Sequence, residues 1–416
     1  MFRVFRWPAF TSVWLGQILS QVGTQLFFIM AYWELQLRSP YLLSAAGLTL
    51  TLPNLLSAVG GSLVDRWDAR FVMLWTDLVR AAVSLFGALA YALWPRAFVP
   101  VTLVILAAHG LGGSLFTPAE SVILPRLVPD EELVAANGLS MTTSRLAVSV
   151  GAAVGGASIA AIGVPWIAAI DGLTFLASAA AVANVIRLWR REGRTWRERA
   201  ATARPKTSMV SQMMEGWRAL AGIRWYAAVL PLIVILNFAF AGMDVLLSVW
   251  THRVLHGGAA AFGTLNAALS FGQLVGSFGA GLAARIGMRA GLLAFGALTS
   301  FTVLVFSFSR DIWLSLAMNA VLGVSVAVIN AIGFAVMQRA IPDDVRGRAF
   351  GLLYSFAGAA TPLANGLAGV SLRVVPIAAW MWLCSAACAA LTVGWWRAVP
   401  RQDAAGQPAS GAAPNA

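Results

Sequence analysis

The sequence predicts an all-α membrane protein, with twelve transmembrane helices in two pseudo-symmetric six-helix bundles. Three observations carry this. Of the 416 residues 59% are hydrophobic and only 11% charged, with mean hydropathy +0.77, whereas a soluble domain is about a quarter charged. The apolar residues run in stretches of about 20 or more, each long enough to cross a hydrocarbon core as a helix. The two halves of the chain also repeat one another's punctuation.

Breaks at charges, proline and glycine place the individual helices. The first six cover 10–37, 41–64, 71–94, 99–124, 133–162 and 165–189. The second six cover 219–250, 260–284, 290–308, 312–340, 349–372 and 374–396. MFRVFRW at the start has no small-residue cleavage site after a short apolar core, so the first helix is expected to be retained. The chain thus divides into a bundle over 1–189, a basic linker over 190–218, a second bundle over 219–397 and a low-complexity tail over 398–416, expected to be disordered.

Loop cations set the orientation. Assigning alternate loops to one side gathers 22 Arg and Lys there against five on the other, namely Arg38, Arg96, Arg253, Arg310 and Arg373. The positive-inside bias puts both termini, the linker and the tail in the cytoplasm, which requires an even number of spans. The same distribution explains the net charge of +12 without nucleic acid as a partner. Cys384 and Cys388 lie four apart in one apolar run, a packing arrangement rather than a disulfide or metal framework. His109, His252 and His256 show no ligand spacing, so neither a metal nor a cofactor is expected. No catalytic cluster or phosphate-cradling glycine loop occurs, so the chain is not expected to be an enzyme.

The internal repeat is specific. GGSLVDRWDAR from Gly60 aligns with GAGLAARIGMR from Gly279, and VPDEELVAANGL from Val128 with IPDDVRGRAFGL from Ile341, at offsets of 219 and 213. Duplicated six-helix units are the mark of transporters whose halves rock about a central site. The segment GGSLVDRWDAR followed by FVMLWTDLVRA resembles the loop motif of the major facilitator superfamily, and TPAESVILPRLVPDEELVAANGL, AAIDGLTFLASA and RGRAFGLLYSFAG resemble its drug and siderophore exporters, related to macrolide-efflux and enterobactin-export proteins. The resemblance spans about residues 10–396 and implies the major facilitator fold. It makes Gly61, Asp65, Arg66 and Arg70 the gating motif, continued by Asp77 and Arg80. The second copy has Ala284 where the first has Asp65, so only the first forms an acidic gate, with Arg346 and Arg348 at the start of the eleventh helix as its expected partners. The antiporter pattern of the fifth helix is kept at Gly138, Gly151, Gly155 and Gly156 but has Ala147 and Ala152 in place of a glycine and a proline.

Polar residues are costly in lipid and mark helices that face protein or water. Gln17, Ser20, Gln21, Thr24 and Gln25 make one stripe on the first helix, Asn237, Asp244 and Ser248 another on the seventh, and Asn266, Ser270, Gln273 and Ser277 a third on the eighth. Of these, Gln17, Gln21, Thr24, Asn237, Asn266 and Gln273 are the substrate-cavity candidates, although each can equally serve as a bond between helices. Glu120, Arg145 and Asp244 are the proton-coupling candidates. Glu120 is about 9 Å above the expected inner end of its helix and Arg145 about 18 Å up the next, where it could pair with Glu120. Asp77, Arg80 and Asp171 read more simply as structural charges on peripheral helices.

The expected function is secondary export of a small organic molecule, drug, antibiotic or siderophore-like, across the bacterial inner membrane. The transporter would work by alternating access as a proton-coupled monomer in the lipid bilayer. An importer or facilitator of a metabolite or lipid-like molecule is the alternative within transport, and a membrane-embedded non-transport protein the alternative outside it. The topology has a direct check. Cysteines placed singly at Arg38 and Ala203 should be labelled from opposite sides of the membrane by an impermeant thiol reagent, and labelling of both from outside would overturn the orientation.

Overall fold

The computed structural model describes residues 2–53, 67–191, 218, 235, 238, 240, 243–283, 288–340, 362, 364–367, 371 and 375–398. After a short 3-10 turn over Phe2–Arg6, α1 runs over Pro8–Arg38, with Pro8 in the first turn, where a missing N–H costs nothing. Helix α2, Pro40–Thr51, starts where the Ser39 side chain accepts from the Tyr41 amide, and α3, Ala69–Leu93, where Asp68 accepts from the Arg70 amide. Helix α4 spans Phe98–Leu127. Helix α5, Asp130–Arg191, is two spans joined at Gly163, whose φ of 76° is open to glycine and strained for other residues. The second half contributes α6 (Met243–Arg253), α7 (Ala259–Ala283), α8 (Met288–Phe308), α9 (Ile312–Ala340) and α10 (Ile377–Ala398).

No strand occurs among the described residues. Helix ends fall within about three residues of their sequence positions, because charges and proline end apolar runs sharply. The remainder of the second, seventh and eleventh spans, the linker and the tail lie outside the described residues. Seven described helices are long and apolar enough to cross a membrane, and their outward faces carry large exposed apolar side chains, Trp75, Phe86, Phe278 and Trp313 among them. Such a surface belongs in hydrocarbon. This is a multi-pass membrane protein.

Successive spans alternate in direction, so the face where α1 begins, called proximal here, opposes a distal face carrying the α1–α2 connection. The buried core reports how the halves meet. One apolar cluster joins Leu26, Phe27 and Met30 of the first half to Val249, Trp250, Phe262 and Leu322 of the second. Near the proximal face the cores are separate among the described residues: Phe10, Met73, Phe116 and Trp189 gather in the first half, Leu292, Val328 and Ile332 in the second. The halves are therefore sealed distally. At that seal Trp33 stacks on Phe262 with centroids 6.3 Å apart and meets the His252 ring edge-on at 5.8 Å. Backbones also touch, since a Cβ on Gly156 would run into the Ala259 carbonyl and one on Gly263 into that of Ala152.

The sequence repeat has a physical counterpart. Arg70 lies over the Trp189 ring at 5.3 Å and Arg289 over Trp396 at 5.4 Å, each cation at the start of the third helix of its half and each indole at the end of the sixth. The distal seal is testable through its glycines. Gly263→Ala places a Cβ 3.0 Å from the Gly156 amide nitrogen, an overpacking that typically costs about 1–3 kcal/mol. The cost falls only on the sealed state, so spin labels at positions 38 and 253, with Cys384 and Cys388 replaced by serine, should report a longer distal separation than in the parent.

Candidate functional site: a cavity beside a buried charge network

A cavity of 280 Å³ opens among α1, α4 and the first arm of α5. Its walls include Gln17 and Gln21 from α1, Thr117, Glu120 and Ser121 from α4, and Asn137, Ser140 and Ser144 from α5, with Phe10, Trp14 and Met141 supplying apolar surface. Polar groups at helical spacing on three facing helices produce this lining. Gln21 accepts a hydrogen bond from Ser144 across the cavity, and Trp14 Nε1 donates to Thr143 Oγ1 at 3.0 Å. The cavity thus combines an aromatic and aliphatic wall with a few fixed polar groups, the usual make-up of a small-molecule site.

Behind this wall lies a charge network. Gln17 Nε2 donates to Ser178 Oγ at 3.2 Å, and Ser178 donates in turn to Asp77 Oδ2 at 2.6 Å. Asp77 Oδ1 accepts from Arg80 Nη2 at 2.9 Å. Asp77 is 1% and Arg80 9% exposed, so both charges are removed from solvent. The guanidinium is held between the Phe116 and Phe175 rings, 5.0 and 4.6 Å from their centroids, and its Nε donates to the Thr76 carbonyl at 3.3 Å. Desolvated cation–π contacts of this kind contribute about 2 kcal/mol. Gly112 leaves the room, because a Cβ there would come within 2.6 Å of Arg80 Nε. A hydrogen-bonded path therefore leads from a cavity residue to a buried ion pair.

Glu120 has no ion-pair partner within 4 Å among the described residues. Its electrostatic neighbours are Asp77 and Arg80 across α3, and Arg80 acts on Asp77, Asp171 and Glu120 together. Arg145 donates elsewhere: its Nη1 reaches Gln273 Oε1 at 3.1 Å and ties the first half to the second near mid-membrane. Asn266 is buried with its amide bonded back to the Phe262 carbonyl, and Thr24 is half-buried further along α1. Arg70 pairs with Asp68 at 2.5 Å. Asp244 belongs to α6, but its side chain, with Asn237, Gly61, Asp65, Arg66, Arg346 and Arg348, lies outside the described residues.

Sequence reasoning passed over several members of this site. Ser178 is 101 residues from Asp77, and no local pattern announces that contact. The stripe Asn137, Ser140, Ser144 was available through the periodicity that picked out α1, since all three line the same cavity.

Comparison with known proteins agrees with this architecture. The transmembrane secretion effector family, of the major facilitator superfamily, matches residues 1–414. The chain belongs to that family. It is similar to macrolide efflux protein A of Streptococcus pyogenes, 24% identical over 360 residues, covering 85% of this chain and 87% of the relative. It is 28% identical over 337 residues to the multidrug efflux pump Tap of Mycolicibacterium fortuitum, covering 77% and 78%. Among solved structures, a bacterial homologue of the iron transporter ferroportin in its inward-facing state superposes with TM-score 0.69 at 16% identity, covering 94% of this chain and 99% of that one. An outward-facing ferroportin homologue with soaked iron superposes at 0.57, with the same identity and coverage. The protein is a membrane transporter of a small-molecule substrate.

The buried pair predicts a stability pattern. Arg80→Leu leaves Asp77 charged and uncompensated, and breaking such a pair costs about 3–5 kcal/mol. Asp77→Asn with Arg80→Leu should lose less than the single Arg80→Leu change, because no orphan charge remains. Thermal unfolding of the purified variants in one detergent checks the order; a double variant less stable than Arg80→Leu would contradict it.

Proposed function

We propose that this transporter exports small organic molecules of the drug, antibiotic or siderophore-like class across the bacterial inner membrane by proton-coupled alternating access, as a monomer with both termini cytoplasmic. The observation that carries the reading is the placement of Glu120, a carboxyl without an ion-pair partner among the described residues, on the wall of an amphipathic cavity beside Arg80. The similarity to two efflux proteins supports the direction. The cation bias makes the proximal face cytoplasmic. With the distal face sealed, the cavity then opens to the cytoplasm, and the better superposition on an inward-facing neighbour supports the same state.

Substrate enters from the cytoplasm between α1, α4 and α5 and packs against Phe10, Trp14 and Met141, with Gln17 and Gln21 offering hydrogen bonds. Three acidic residues, Asp77, Glu120 and Asp171, share the one guanidinium of Arg80 in this half, so the network carries a surplus of negative charge that a proton on Glu120 relieves. A substrate and a proton competing for one wall exchange with each other, and by linkage protonation biases the conformation that favours it. Rocking outward separates the distal rings and closes the cytoplasmic side, where Asp65 is proposed to meet Arg346 and Arg348, with Gly61 and Arg66 shaping that loop. Arg145 and Gln273 sit at the pivot between halves, and Asp244 with Asn237 supplies the polar wall of the second half.

Inside-out vesicles loaded with a panel of fluorescent dyes, with and without an imposed pH gradient, test direction and coupling together. Gradient-driven uptake of at least one dye is expected, and Glu120→Gln should abolish the uphill part while downhill exchange and thermal stability survive. Undiminished uphill transport in that variant would remove Glu120 from the role, and uptake indifferent to the gradient in the parent would favour a facilitator.

A further inference from the structure

Away from the cavity wall, α3, α4 and the second arm of α5 enclose another polar cluster. Asp171 Oδ2 accepts from Ser84 Oγ at 2.6 Å and lies 3.0 Å from His109 Nε2, with Ser84 Oγ and His109 Nε2 3.4 Å apart. Ser84 and Asp171 are wholly buried and His109 is 5% exposed. Two atoms of the cluster, His109 Nδ1 and Asp171 Oδ1, have no hydrogen-bond partner among the described residues. A buried imidazole nitrogen and a buried carboxylate oxygen without partners are expensive to maintain in a protein interior, and more so in a membrane.

Proton counting shows what the arrangement can do. Ser84 uses its one hydroxyl proton on Oδ2, and the contact between His109 and Asp171 holds one more, on Nε2. The cluster then bears a charge of −1. One further proton has an open place on Nδ1, and it brings the cluster to zero: an N–H bond forms as an O–H bond of hydronium breaks, and water is released. The charged groups around it offer little competing compensation. On α3 these are Asp77 and Arg80, paired with each other although Arg80 also acts on Asp171, and Tyr91, whose hydroxyl bonds Thr102; on α4, Glu120; on the second arm of α5, among the described residues, Asp171 itself. From α1 only the rings of Phe27 and Phe28 reach His109, at 5.5 and 6.0 Å. Arg145 on the first arm of α5 is engaged with Gln273.

Two contacts connect this cluster to the moving parts. Phe175 touches His109 at 5.1 Å on one side and Arg80 at 4.6 Å on the other. Phe27 and Phe28 belong to α1, whose distal Trp33 stacks on Phe262 of the second half. Along α4, His109 and Glu120 are eleven residues apart, about 17 Å, with His109 on the distal side. We propose that Ser84, His109 and Asp171 form a second proton-binding site, which takes one proton from the outer side when α1 shifts as the distal seal opens. The proposal rests on the proton-coupled reading above, with Glu120 as the inner site and this cluster as the outer one.

The chain has only three histidines, so ¹⁵N-histidine labelling of the full-length protein in lipid nanodiscs reads His109 directly, with His252→Asn and His256→Asn variants assigning the other signals. In spectra recorded over a pH series the His109 nitrogens should pass from the imidazolium pattern at the acid end to the neutral pattern at the basic end. Asp171→Asn should weaken proton binding about tenfold through loss of the adjacent negative charge. Gly263→Ala, which loosens the distal seal without touching the cluster, should change it at least threefold if α1 is the link. A His109 fixed in one neutral tautomer across that series in the parent protein overturns the site, whether or not Asp171→Asn folds, and an unchanged titration in Gly263→Ala overturns its link to the seal. Failure of the two ideas is separable. If His109 titrates while parent vesicles show no gradient-driven transport, the coupled-export reading falls; a silent His109 beside intact coupled transport removes this cluster and leaves Glu120.

Discussion

A guanidinium held inside a helical bundle within a membrane must be compensated at short range, and much of the first half is organised around meeting that demand at Arg80. Asp77 supplies the counter-charge, Ser178 fixes the free carboxylate oxygen, Phe116 and Phe175 cover the planar faces, and Gly112 withholds a side chain where one would collide. Five contributions from α3, α4 and the second arm of α5 converge on one cation. Because desolvation makes an incomplete set so costly, these helices are held in one register. Gln17 joins the set through Ser178, so the cavity wall is mechanically continuous with the ion pair.

The two halves share a scaffold but not a chemistry. The cation–indole contacts of Arg70 with Trp189 and Arg289 with Trp396 are near copies, as a duplicated unit requires. At the offset that aligns those arginines, Asp77 and Arg80 correspond to Gly296 and Thr299, and Thr299 forms a neutral bond to Ser325 at 2.9 Å. Among the described residues buried charge is thus concentrated in the first half, while the described part of the second packs by hydroxyl pairs such as Ser300 with Ser385 and by apolar contact. A duplicated fold supplies the symmetry of the scaffold, and the buried charges among the described residues depart from it.

The distal union is built from interactions suited to being broken. Ring stacking between Trp33 and Phe262 and backbone apposition at Gly156 and Gly263 bury area without burying charge, so separation leaves no orphan ion. The Glu34 to Arg38 pair at the same end lies within α1 and does not cross the halves. Among the described residues only the Arg145 to Gln273 bond crosses with a charge, near mid-membrane where displacement in a rocking motion is smallest.

The sequence by itself determined that this chain crosses the membrane many times, where most described helices begin and end, that its halves are duplicates, and that Gln17, Gln21 and Glu120 belong to polar faces. Those properties are local: hydropathy over about 20 residues, proline and charge at helix ends, and helical periodicity act on neighbours in the chain. Only the tertiary structure decided which charges meet. Arg145 could be paired with Glu120 by height along adjacent helices, yet it bonds to Gln273 128 residues away, and Asp77 accepts from Ser178, 101 residues away. His109 and Asp171, 62 residues apart and unremarkable in the sequence, become one buried cluster. Helix periodicity fixes the face a side chain occupies, but the rotation and tilt that bring two faces together come from packing the whole bundle, and no single helix encodes them.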